Sequence, residues 1–229
     1  MTDAHCHVLR GEGRRFLCEP TEAAPRPGDI AFFGHHPWEF LTEASVDPAQ
    51  LTAALEARLL AHPQAGVGEI GLDRLKVREI PPAMRAAFDA QLALAAKLRR
   101  PVVLHGAKCW GQVVAACRTY AGSVPAFLFH GFSRSGGLLP DIVALGGYIS
   151  VGPAVLNDHA VNYRELVKAI PLDRLLVESD ATVETAGSVP PLSAIVAKTA
   201  ELRGLSPAEL EKHLDATAAS FASTLLPNP

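Results

Sequence analysis

Short apolar runs ending in a polar residue recur along the chain, and a longer stretch with helical spacing follows most of them. The runs at 2–7, 30–35, 66–71, 102–105, 126–130, 147–151 and 175–178 predict strands, with 15–18 as a weaker eighth. Between them, 48–62, 83–100, 111–120 and 162–169 carry helical patterns. In the second of these, Met84, Phe88, Leu92, Ala95 and Leu98 recur at the spacing of one buried helical face. Ser206, Pro207 and Glu209 form a capping-box pattern that starts a last helix running from 207 to about 224. Strands alternating with helices predict a parallel sheet with right-handed crossovers. The segment 10–29 breaks the pattern: it is rich in Gly, Pro, Arg and Glu and has little helical periodicity. The expected architecture is one α/β domain over 1–229, a TIM-type (β/α)₈ barrel distorted by a shortened second βα unit.

Composition narrows this only slightly. Aromatic residues make up 6% while Ala, Leu and Val dominate, which favours helix–sheet packing over an aromatic-rich sandwich. The net charge of −3 provides no general attraction to nucleic acid, so any phosphate ester must be met by a local site. No apolar run approaches the roughly 20 residues that span a bilayer, and residues 1–5 do not resemble a signal peptide. The four cysteines lack Cys-x-x-Cys spacing and are expected to stay reduced, as in a cytoplasmic protein. The apolar residues outside the predicted core form no patch, which points to a monomer.

The informative feature is where the polar residues fall. His5, His7, His36, Glu69, His105, His130 and Asp180 all lie at or just beyond the C-terminal end of a predicted strand. In a (β/α)₈ barrel those ends converge on one face, where sites are built. Imidazoles and carboxylates together are the ligand set of zinc, manganese and related divalent ions. Strand alternation puts His5 and His7 on one side and sends Cys6 to the other. Glu69 lies among Gly66, Gly68 and Gly71, a crowding of glycines that points to close backbone approach, and its two oxygens suit it to bridge two cations. Asp73 is read as orienting the loop or a ligand, and Glu178 as a supporting or deeper acid two residues before Asp180. Asp180 can ligate a cation and accept a proton from an attacking water. His62, His159 and His213 have no comparable context and are read as surface histidines.

Taken together, several motifs resemble those of TatD-type metal-dependent hydrolases of the amidohydrolase superfamily: Asp3-x-His5-x-His7, Gly34-x-His36-Pro37, Val67-Gly68-Glu69-Ile70-Gly71-Leu72-Asp73, Val103-Leu104-His105, His130-x-Phe132-Ser133 and Glu178-Ser179-Asp180. The resemblance implies two divalent cations, Zn, Mn or Mg. His5, His7, Glu69 and Asp180 would hold one, and Glu69, His105 and His130 the other, with Glu69 and Asp180 as the catalytic carboxylates. It also implies a phosphodiesterase or 3'-5' exodeoxyribonuclease activity on a small phosphoester or a single-stranded DNA end. His36, Trp38, Lys108, Ser133 and Arg134 would then contact the substrate. The chain departs from the family pattern at Ala107, where Arg is common, at Arg134, where Gly is usual, at Thr182, where Pro is frequent, and in a short 7–30 segment.

Two other readings follow from the same residues. One is a hydrolase of the same superfamily that cleaves an amide, lactone or phosphomonoester. The other is a metal-binding barrel without turnover. Relatives that bridge their cations with a carboxylated lysine are disfavoured, because Glu69 stands at the expected strand end.

Overall fold

The computed structural model describes residues 1–9, 12–19, 25–42, 45–133 and 136–225. Eight strands run in one parallel sheet in chain order: β1 (Thr2–Cys6), β2 (Arg14–Cys18), β3 (Ile30–Phe33), β4 (Gly66–Asp73), β5 (Val102–Ala107), β6 (Phe127–Phe129), β7 (Tyr148–Val151) and β8 (Leu175–Val177). Helix α1 (Pro48–Ala61) follows β3, α2 (Pro82–Leu98) follows β4, α3 (Trp110–Thr119) follows β5, α4 (Leu139–Ala144) follows β6 and α5 (Val161–Ala169) follows β7. After β8 come α6 (Leu192–Arg203) and α7 (Pro207–Ser223). The sheet closes by main-chain bonds just past the end of β8: Asp180 N donates to His5 O at 3.0 Å, and His7 N donates to Ala181 O at 2.9 Å. The expected TIM-type barrel is the observed one, and no described helix is long and apolar enough to cross a membrane.

The distortion lies at the start of the barrel. Among the described residues no helix separates β1 from β2 or β2 from β3, so the early part of the barrel is short, as expected. The weak strand signal of β2 has a local cause. Arg15 is buried there, and Asp29 neutralises it: Arg15 N donates to Asp29 Oδ1 at 2.9 Å and Nε lies 3.5 Å from Oδ2. A charged residue at a core position masks the apolar run by which a strand is recognised.

Alternation along each strand sorts two sets of side chains. Val67, Ile70, Leu72, Val102, Leu104, Phe127, Phe129 and Val177 pack in the core that also holds the helices. Phe16, Cys18, Phe32, Val103, Leu128, Tyr148 and Leu176 form a second cluster with Phe221 of α7. The Phe221 ring lies 5.3 Å from Phe16 and 5.2 Å from Tyr148, which closes this cluster off by aromatic contact. His105, His130 and Glu178 continue the alternation of Val103, Leu128 and Leu176, so they stand on the same side as that second cluster, at the other end of the strands. Helix α7 begins with the expected capping box, Glu209 N donating to Ser206 Oγ at 3.3 Å and Ser206 N to Glu209 Oε2 at 2.9 Å.

Two strands are irregular, each where a candidate ligand sits. The β1–β2 register slips between Asp3 and Cys6, around His5, and the β4–β5 register slips between Val67 and Ile70, around Glu69. Such bulges re-aim one side chain out of the regular pleat. The glycines near Glu69 permit the close approach of β4 to β5: a Cβ on Gly71 would lie 2.0 Å from His105 O. Gly71→Ala is therefore expected to cost about 1–3 kcal/mol by overpacking and to lower the melting temperature by several degrees. An unchanged thermal melt would contradict this contact.

Candidate metal centre

Glu69 is the hub. It is buried on β4, and its two oxygens face different partners. Oε2 lies 3.2 Å from His5 Nε2 and 3.3 Å from His7 Nε2. Oε1 lies 2.6 Å from both His105 Nδ1 and His130 Nε2, and 3.5 Å from His36 Nε2. Asp180 joins the first group, with Oδ1 3.5 Å from His5 Nε2 and 4.0 Å from His7 Nε2. Its backbone turns left-handed (φ 50°), which an aspartate tolerates, as β8 bends toward β1. Asp3 holds the same corner: Ser179 N donates to Asp3 Oδ1 at 2.9 Å and Ser179 Oγ to Oδ2 at 2.6 Å. Burial pushes the Asp3 carboxyl up to about 6, against the lowering effect of those bonds.

A second layer of partners fixes the histidines. Asp73 Oδ2 lies 3.0 Å from His105 Nε2 and accepts the Trp38 Nε1–H at 2.7 Å, while its Oδ1 accepts Leu75 N at 2.6 Å. Burial opposes the Asp73 charge, but the bonds from His105, Trp38 and Leu75 hold its carboxyl below the usual range. Glu178 is buried with Oε1 3.6 Å from His130 Nδ1, and Ser150 Oγ donates to its Oε2. Cys18 Sγ lies 3.4 Å from His5 Nδ1. Burial pushes the Cys18 thiol up to about 11, so it stays protonated and neutral.

His36 is placed by a rigid turn, Pro37–Phe40, a 3₁₀ helix that His36 caps. Trp38 N donates to His36 Nδ1 at 3.2 Å and His36 N to Glu39 Oε1 at 2.9 Å. From behind, the buried Gln91 of α2 clamps the preceding residue, accepting His35 N at 2.6 Å and donating to His35 O at 3.2 Å.

The charges interlock. Burial disfavours an ionised Glu69, but His130 and His5 beside it hold its carboxyl well below the ordinary value. Burial likewise disfavours charged histidines, yet Glu69 raises His130 to about 9, and Glu69 and Asp180 raise His5 well above its ordinary value. Asp180 is held low against burial by its contact with His5. Protons on the histidines thus balance the carboxylates, and a divalent cation can take their place. The donor set fits such an ion. His5 Nε2, which faces Glu69 and Asp180, is buried without a hydrogen bond, and three groups of donors (His5/His130/Asp180, His5/His7/Glu69 and His36/Glu69/His105) each lie within 4.8 Å of one another.

The cluster opens into a cavity of about 700 Å³ lined by His105, Lys108, Trp110, His130, Ser133 and Asp180. Lys108 is exposed on its wall. Trp38 is 48% exposed, with Lys76 Nζ 4.6 Å from the centre of its ring. All six residues expected as ligands are thus brought together, with His36 beside them; Lys108 and Ser133 line the cavity. Arg134 lies outside the described residues. His62, His159 and His213 are exposed, as expected of surface histidines, and Cys6 is buried. Periodicity and motif alone missed Cys18 and the clamp role of Gln91. Only the polarity of Gln91 on an otherwise apolar helix face signalled it.

These features define a class: a (β/α)₈-type barrel whose C-terminal rim carries a His/Glu/Asp cluster able to hold divalent cations. The chain belongs to the TatD related DNase family, which matches it over residues 20–222. Among curated proteins, it is 32% identical over 147 residues to the 3'-5' ssDNA/RNA exonuclease TatD of Edwardsiella piscicida, a match covering 64% of this chain and 53% of that protein. It is 31% identical over 199 residues to the enzyme of the same name from Cronobacter sakazakii, covering 81% and 74% respectively. The matched stretch thus spans about half the length of the first relative. Among solved structures, the TatD homologue YjjV of Escherichia coli K12 superposes with a TM-score of 0.77 at 22% identity, covering 100% of this chain and 98% of that one. At that identity the likeness speaks for the fold.

Proposed function

We propose that the protein is a divalent-metal-dependent phosphodiesterase acting on ends of single-stranded nucleic acid, in the 3'-5' exonuclease manner for which its curated relatives are named. The observation that carries this reading is the division of Glu69, one oxygen toward His5 and His7 and the other toward His105 and His130. In this reading His5, His7, Glu69 and Asp180 hold one Zn, Mn or Mg ion, and Glu69, His105 and His130 hold a second. Bound there, two such ions activate a water and stabilise charge on a phosphoryl oxygen. The chain's own groups do the rest. Asp180, half exposed beside the cavity and held ionised by His5, takes the water proton at Oδ1. Lys108 and Ser133 on the cavity wall bind phosphate oxygens, Lys108 as a point charge. His36 faces the same centre, and the exposed Trp38 indole, fixed by Asp73, offers a stacking face to a base. Such local contacts replace the general attraction that a net charge of −3 lacks. We further read 1–229 as one catalytic barrel, working as a cytoplasmic monomer.

The test is cleavage of single-stranded DNA and bis-p-nitrophenyl phosphate by metal-stripped protein, with Mg²⁺, Mn²⁺ or Zn²⁺ added back. Cleavage should return with metal, vanish in His5→Ala, and fall about 10²–10⁴-fold in Asp180→Asn. Metal uptake without cleavage of either substrate would overturn the phosphodiesterase reading. Full turnover in Asp180→Asn would remove Asp180 as the base.

A further inference from the structure

We infer that the Cys18 thiol is a positioning residue for His5, orienting its ring and fixing which nitrogen faces the metal centre; the inference rests on the reading of His5 as a ligand. His5 on β1 is fully buried, and its Nε2 points at Glu69 Oε2 and Asp180 Oδ1 without making a hydrogen bond to either. Its other nitrogen, Nδ1, lies 3.4 Å from Cys18 Sγ on the neighbouring strand β2, and Cys18 is fully buried too. An imidazole that ligates through Nε2 keeps its remaining proton on Nδ1, and that proton needs an acceptor. Solvent does not reach this pair, and the fold sets the sulfur at that nitrogen. The bond would hold the ring in the tautomer that leaves Nε2 free to donate its lone pair.

The placement is not an accident of packing on one strand. The β1–β2 register slips just around His5, between Asp3 and Cys6, so His5 leaves the regular pleat and needs a separate anchor. His105 and His130 have carboxylates in the equivalent position. Asp73 stands 3.0 Å from His105 Nε2, and Glu178 stands 3.6 Å from His130 Nδ1. A third carboxylate behind His5 would add another buried negative charge beside Glu69 and Asp180, whereas a thiol accepts the proton without one. The centre is therefore braced unequally, by two acids on the His105/His130 side and by a neutral sulfur on the His5 side.

The test uses metal-stripped protein and competition for Zn²⁺ against a chromophoric chelator, with wild type, Cys18→Ala, Cys18→Ser and His5→Ala. Thermal melts of the metal-free variants establish that each is folded. Cys18→Ala is expected to weaken Zn²⁺ binding by about 10–100-fold, the usual effect of losing a ligand's supporting partner. Cys18→Ser, which restores an acceptor, is expected to recover most of that loss. In NMR spectra of the Zn²⁺-loaded protein the His5 Nδ1 proton should exchange slowly in wild type and Cys18→Ser and quickly in Cys18→Ala, a change that altered packing alone would not produce. Unchanged Zn²⁺ affinity in Cys18→Ala, with His5→Ala weakened, overturns the inference and leaves the function reading standing. Unchanged affinity in His5→Ala as well overturns the assignment of His5 as a ligand, and the inference with it.

Discussion

Glu69→Gln is expected to lower metal-dependent turnover by at least about 10³-fold, because one neutral side chain then replaces the carboxylate shared by both sets of histidines. The stabilisation that bound cations supply amounts to several kcal/mol, and each step of about 1.4 kcal/mol is tenfold in rate. Gln keeps the shape of Glu69 but loses its charge, and its amide N–H₂ group would face one set of imidazole nitrogens and repel a cation there. A further consequence separates this effect from general damage. Glu69 is what raises His130 to about 9 in the metal-free protein, against the effect of burial. In metal-free Glu69→Gln, the His130 pKa should therefore fall toward or below its ordinary value, as read by NMR titration of the ring protons. A His130 titration that stays near 9 would show that Glu69 is not its dominant partner, and the bridging arrangement would lose its support.

The second large effect is a reversal of pH dependence on loading metal. The His130 pKa is raised on folding, from 6.5 to about 9. A group raised in this way contributes stability that is fully present below pH 6.5 and is lost as pH climbs through about 9. The difference corresponds to about 3 kcal/mol for this one histidine, and His5, also raised, acts in the same direction. Metal-free protein should therefore become less heat-stable from pH 6.5 to 9. Cation binding must displace those protons, so affinity should rise with pH over the same window, about tenfold per unit for each proton released. Melting temperatures of metal-free and Zn²⁺-loaded protein should diverge as pH rises. Parallel curves would mean that the ion does not replace the protons on these histidines.

Much of this centre is legible in the amino-acid sequence. His5, His7, His105, His130 and Asp180 stand at or near the ends of strands, as the apolar runs before them announce, whereas Glu69 stands inside the longer β4 (Gly66–Asp73). The glycines around Glu69 correctly announce close strand approach, and Gly71 packs against the His105 carbonyl. Strand β2 is less legible, since Arg14 and Arg15 disguise a strand whose buried charge is neutralised by Asp29, a residue beyond the strand itself. The sequence predicts a shortened early barrel, and the described residues carry no helix on either side of β2. The stretches 7–13 and 19–29 leave little room for one, but periodicity does not say which connection shortens.

The chain by itself thus determined the fold class and the inventory of candidate ligating groups. Both depend on local periodicity and on chemical type, which are properties of neighbours in sequence. The tertiary structure alone decided how these groups meet. Two register slips, around His5 and Glu69, set the directions of the two central side chains. Barrel closure brought Asp180 against His5 across the seam of the first and last strands. The same closure and register set Asp73 behind His105, Glu178 behind His130 and Cys18 behind His5. Each of these pairs joins different strands, so its geometry depends on how whole strands align. A shift of one residue would turn every such side chain to the opposite face.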